Sequence, residues 1–192
     1  MKNTLVLIAD FINEIVHPKG LFGTHNAERI QTQHTMDKAN QVIHWAREKN
    51  IPVAHVKVGF EEHYNECPKS SPMFGTAPKY QALKLETWAT KFHTDMDVQP
   101  QDHIVTKHRV SALYSTNLEA YLRANKIEHV IICGVSTTYV VESTARELHD
   151  RDYQVTIISD ACNAATQESH DASLSAISRF CKIEAVDELT KI

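Results

Sequence analysis

The stretch VIICGVSTTYVVESTAREL, residues 130–148, decides the fold. An apolar run (Val130, Ile131, Ile132) stops at Gly134 and passes through a hydroxyl-rich turn (Ser136, Thr137, Thr138). It then enters a helical pattern in which Val141, Thr144, Ala145 and Leu148 share one face. The pattern is a buried strand, a tight turn and a helix N-terminus, where unpaired backbone N–H groups gather and anionic groups are stabilised. Ser136 to Thr138 suit the cap of such a helix. A nucleophile in the first helical turn would be well placed for acyl chemistry. The residue there, Val140, has no nucleophilic atom.

Working outward, five more strand-like runs appear: Thr4–Ala9, Pro52–Val58, His103–Thr106, Gln154–Ser159 and Lys182–Ala185, beside His129–Cys133 in the central stretch. Most are continuous and β-branched rather than alternating, as parallel strands covered on both faces require. Helical patterns lie between them. Met36, Ala39, Val42, Ile43 and Ala46 share a face of one helix spanning roughly 26–49, and Leu118, Tyr121 and Leu122 mark a short helix. Ala172, Leu174, Ala176, Ile177 and Phe180 fit a last one. Strand and helix in alternation predict an α/β fold, a three-layer doubly wound (Rossmann-like) domain of about six mostly parallel strands over 1–192. Residues 59–102 break the alternation, because Pro68, Pro72, Gly75, Pro78 and Pro100 interrupt any long element. A loop region of that length is usually functional, and it is expected to fold over the strand ends and wall a pocket.

The composition narrows the function. With 192 residues and 42% hydrophobic content the chain can bury a full core. Twenty basic against twenty-four acidic residues are scattered, with a net charge of −4. Neither nucleic acid nor a membrane surface is expected as a partner. Cys67, Cys133, Cys162 and Cys181 show no C-x-x-C spacing. Cys133 and Cys181 read as small core residues beside strands, which fits a reducing compartment. The apolar run before Asp10 is too short for a signal peptide or a membrane span, so a cytoplasmic location is expected.

Asp10 ends an apolar strand, which sets its carboxylate at the carboxyl edge of the sheet, where open α/β sheets bind ligands. An aspartate capping the next turn through Asn13 fits the same pattern. Lys107 ends another strand, ahead of His108 and Arg109. An ammonium beside Asp10 would lower the carboxyl pKa while burial would raise it. Phe74, Trp88, Tyr114 and Tyr139 are aromatic candidates for the pocket wall. His55 and His63 offer no compact three-ligand spacing, so no metal and no cofactor is expected.

Three segments together resemble the isochorismatase-like hydrolases, also called cysteine hydrolases: LVLIADFINEI (5–15), HIVTKHRVSAL (103–113) and Gly134–Arg146. The resemblance implies that Asp10 and Lys107 are catalytic and that Val140 fills the slot in which the family usually carries its cysteine. It also implies a non-proline cis peptide at Val135–Ser136, turning backbone N–H groups into the pocket. The family's D-x-Q-N pattern stands here as Asp10-Phe11-Ile12-Asn13, with Ile12 replacing a polar pocket residue. Isochorismate-cleaving members also lack the cysteine, and their aspartate moves the proton while water is the nucleophile. Vinyl ether hydrolysis of that type is therefore the nearest precedent, on a small-molecule substrate, by a chain expected to form a homo-oligomer. Two alternatives stay open: a catalytically silent or repurposed small-molecule binder, and an amide hydrolase using another nucleophile, with Cys67, in the loop ECPKSSP, the candidate.

Overall fold

The computed structural model describes residues 3–191. Six parallel strands form one sheet: β1 (Thr4–Ala9), β2 (Val53–Val58), β3 (His103–Lys107), β4 (His129–Val135), β5 (Gln154–Asn163) and β6 (Lys182–Glu184). Their order is β3-β2-β1-β4-β5-β6. The chain runs from β1 outward through β2 to β3, then returns to the other side of β1 at β4. The carboxyl ends of β1 and β4 therefore flank the point where the winding reverses, the place where doubly wound sheets open a ligand crevice.

Period-two side-chain alternation sorts β1 between two apolar layers. Leu5, Leu7 and Ala9 face a cluster that includes Leu118 and Leu122 of α5 (Leu118–Ala124) and Ala145 and Leu148 of α6 (Glu142–His149). Val6 and Ile8 face Ala39, Val42, Ile43 and Ala46 of α3 (Thr35–Glu48). All six β1 residues are buried, which is why that strand reads as a continuous apolar run.

The expected helix over 26–49 is two helices, α2 (Gly23–Thr32) and α3. His34 between them takes a left-handed backbone with φ of 55°. The break is held from a distance. Asn163, at the end of β5, donates to Gln33 Oε1 at 3.2 Å and to Thr35 Oγ1 at 2.9 Å, and Arg29 donates to Asn163 Oδ1 at 3.3 Å. The last helix, α7 (Gln167–Ile177), stops before Phe180, whose ring instead packs edge-on to His149 and under the Arg146 guanidinium.

Residues 59–102 fold back over the sheet edge with only short helical turns, α4 (Ala77–Tyr80) and a 3-10 turn Trp88–Thr90. Phe60, Tyr64, Cys67, Phe74, Ala82 and Leu83 make a third apolar cluster with Ile12 and Val58. The chain just after Asp10 is laced to this excursion. Asn13 N–H donates to the Lys91 carbonyl at 2.9 Å and its side-chain amide to that of Trp88 at 2.9 Å, while His93 N–H donates to that of Phe11. Glu14 Oε1 accepts from Leu83 N–H at 3.3 Å. Asn13 thus ties the roof to the α1 turn (Asn13–Val16) that follows Asp10. No helix among the described residues is long and apolar enough to cross a membrane.

Candidate active site

The carboxyl ends of β1, β2, β3 and β4 converge on a cavity of about 650 Å³ lined by residues from each of them. Asp10 leaves β1 with φ of 63°, a left-handed conformation that Asp tolerates better than bulkier residues. Its N–H donates to the Val56 carbonyl on β2 at 3.0 Å, which fixes the turn of the chain at this point. Lys107 ends β3, two strands away. Its side chain spans the end of β2 and brings Nζ within 2.8 Å of Asp10 Oδ2 and 3.2 Å of the Arg109 carbonyl. The side chains of Lys107 and Asp10 are only 2% and 4% exposed, so this is a buried ion pair, not a surface one.

Asp10 Oδ1, by contrast, has no hydrogen-bond partner although it is buried. Asp10 makes no capping bond to Asn13 either, because the Asn13 N–H and side-chain amide both point to the 59–102 excursion. Burial raises the Asp10 carboxyl above its ordinary range, and the Lys107 charge and hydrogen bond only partly oppose this. Since Oδ2 already accepts from Lys107, a proton on Asp10 would sit on Oδ1. The site thus holds a buried carboxyl group with a raised pKa, one oxygen held by Lys107 and the other without a partner.

The β4 side is built by close approach. A side-chain carbon on Gly134 would come within 2.9 Å of Ala9 Cβ and 3.0 Å of its carbonyl, so only glycine lets the strand end meet β1 there. The Val135–Ser136 peptide is cis, and both residues line the cavity. The following turn, Thr137–Val141, is π-helical, not the start of a regular α-helix, and Ser136 makes no capping bond to it. Its hydroxyl instead pairs with that of Thr138 at 2.8 Å. The turn is anchored from α7: His170 Nδ1 lies 2.8 Å from Thr137 Oγ1, and Ser173 Oγ donates to the Thr137 carbonyl at 3.2 Å. This support places the methyl groups of Val140 on the cavity wall, 2% exposed.

Among the sequence-predicted site residues, Asp10, Lys107, Val135, Ser136, Val140, Phe74 and Tyr139 line this cavity. The other three lie elsewhere. Ile12 is fully buried in the cluster beneath the excursion and bridges to Phe92. Trp88 packs edge-on to His17 with ring centroids 5.1 Å apart, and Tyr114 is 59% exposed outside the lining. Residues that sequence reasoning missed also line the wall, among them Val58, Leu83, Val110 and Met73, with Phe22 and Asn26 contributed by the start of α2. Only Val58 had a legible signal, since it is the register partner of Lys107.

Cys67 does not reach the cavity. It is buried in the third cluster, where its thiol donates to the Phe74 carbonyl at 3.3 Å. Burial raises the thiol pKa of all four cysteines, to about 12 for Cys162 and about 11 for Cys181. His55 is buried against Asp102 at 3.2 Å, and that burial holds its ring neutral down to about 4. Among the described residues no group of three His, Cys, Asp or Glu side chains is arranged to hold a metal.

A model of the isochorismatase domain matches residues 4–188. An isochorismatase family protein of Escherichia coli O157:H7, YecD, is 31% identical over 193 residues, covering 98% of this chain and 95% of its own. The ureidoacrylate amidohydrolase RutB of Acinetobacter baylyi is 26% identical, over 93% of this chain and 78% of its own. A solved isochorismatase-like hydrolase from Alkaliphilus metalliredigens shares the fold with a TM-score of 0.84 at 24% identity, covering 100% of this chain and 98% of that one.

Proposed function

The chain belongs to the isochorismatase family and is a hydrolase of that family, and from that premise we propose that it works without a thiol, with Asp10 as the acid and water as the nucleophile. The observation that carries this reading is the unpartnered, buried Oδ1 of Asp10, a residue that lines the same cavity as Val140. In this reading the Asp10 O–H protonates the terminal carbon of a vinyl ether, and the carbon bearing the ether oxygen becomes oxocarbenium-like. Water adds to that carbon and gives up a proton to the Asp10 carboxylate. The hemiketal so formed collapses to a carbonyl compound and an alcohol. Lys107 keeps Oδ2 occupied and so directs the transferable proton to Oδ1.

The test is an activity screen of purified protein against isochorismate, uncharged vinyl ethers and small amides. Turnover of a vinyl ether with no turnover of amides supports the reading, and turnover of amides alone overturns it. Binding without turnover of any of them points to the repurposed binder.

Turnover is expected to survive iodoacetamide near neutral pH. All four thiols are held above their ordinary pKa by burial, and alkylation needs the thiolate. Mass spectrometry of the treated protein checks this. Stoichiometric inactivation with the label on Cys67, and protection by substrate, would show that a cysteine takes part. Val140→Cys is expected to create reagent sensitivity, since it sets a thiol in the cavity that Asp10 lines.

A further inference from the structure

We propose that the cavity takes an uncharged, largely apolar molecule and discriminates against carboxylates, a specificity set by a wall with no uncommitted cation among its described residues. The inference rests on the reading of this cavity as the substrate site and names the class of substrate it accepts.

Among the described residues Lys107 is the one cationic side chain in the lining, and its ammonium is already shared between Asp10 Oδ2 and the Arg109 carbonyl. Three further cations near lining residues in the chain are committed elsewhere. Arg109 donates to the carbonyls of Glu66 and His108, and His108 Nδ1 donates to the Gly59 carbonyl at 2.6 Å. Arg29 donates to Asn163, the Ala164 carbonyl and Gln167. None of the three lines the cavity. An entering carboxylate would meet Oδ1 of Asp10 and a wall of Val58, Leu83, Val110 and Val140. It would lose its hydration and gain no ion pair that Asp10 does not already hold.

The mouth argues the same way. Phe22, Met73 and Tyr139 stand at the rim with 36%, 38% and 54% of their surface in solvent. Large apolar side chains left exposed around a concave site mark surface that a ligand covers. The volume of about 650 Å³ accommodates a molecule of two fused rings. The reaction precedent and its substrate therefore separate: isochorismate carries two carboxylates, and the described lining offers them no uncommitted cation.

The experiment is calorimetric titration of the whole protein with 2-naphthamide and 2-naphthoate, matched in shape and differing in charge. 2-Naphthamide is expected to bind at least about tenfold more tightly. Tyr139→Arg, at an exposed rim position, is expected to bring the naphthoate affinity up to or past that of the amide, which locates the discrimination at this cavity. Equal or tighter binding of naphthoate by the unaltered protein overturns the inference, as does failure of both ligands to bind. Amide-selective binding with no turnover of any vinyl ether would remove the catalytic proposal and leave this inference standing.

Discussion

Asp10→Asn is expected to lower vinyl ether turnover by a factor of about 10²–10⁴ while the chain keeps its fold. The size of the loss follows from what the substitution removes. Asparagine has the volume of aspartate, accepts the left-handed backbone at φ of 63°, and can still accept from Lys107 through its amide oxygen. It carries no proton that it can give up and take back. The raised Asp10 carboxyl fixes the direction of the pH dependence in the parent protein. Burial favours the protonated form, with Lys107 opposing, so the acid is present below the folded-state pKa and lost as pH rises through it. Activity should therefore fall on the alkaline side of a limb governed by Asp10, and that limb should vanish in the asparagine variant. Steady-state rates with circular dichroism on the same sample check both parts. Unchanged turnover in a folded variant would make Asp10 structural.

The parts of this site that were legible in the sequence are those set by strand ends. Asp10 and the Gly134–Ser136 turn follow buried apolar runs and Lys107 ends the shorter, partly exposed β3, and a parallel sheet must bring such ends to one edge. Tyr139 and Val140 come with them because the turn is continuous with β4. Residues whose direction depends on tertiary contacts were not legible. Trp88 and Tyr114 have the aromatic character of a pocket wall, but one packs on His17 and the other faces solvent. Phe22 and Asn26 reach the cavity from the start of α2, whose other end is tied to Asn163, more than 120 residues further along. No glycine or proline marks Gln33–His34, so local pattern gave no sign of the break. The upward direction of the Asp10 pKa was equally hidden, because burial and Lys107 pull it in opposite directions and only the three-dimensional surroundings weigh them.

Lys107→Met is expected to destabilise the protein by up to about 3–5 kcal/mol, the usual consequence of removing one partner from a buried ion pair. Methionine approximates the aliphatic stem, so the effect reports the lost charge more than lost packing. The destabilisation should depend on pH in a defined sense. Without the ammonium, the Asp10 carboxyl in the folded state rises further above the ordinary value of 3.8, since desolvation remains and its opponent is gone. Below 3.8 the carboxyl is protonated in both the folded and unfolded chain, and the variant differs least from the parent. As pH rises above that value the unfolded chain ionises while the folded variant holds its proton, so the folded state loses ground until its own raised pKa is passed. At roughly 2–4 °C per kcal/mol for a chain of this length, the melting temperature near neutral pH should drop by roughly 6–20 °C. The same substitution should carry the Asp10 limb of the activity profile to higher pH, because the acid form now persists further. A parent-like melting curve across the whole range, together with an unmoved limb, would place Lys107 outside the machinery. A drop in stability with an unmoved limb would leave it a structural partner of the carboxylate and no more. The two readouts separate because stability reports the charge pair as a whole, while the limb reports only the proton on Oδ1.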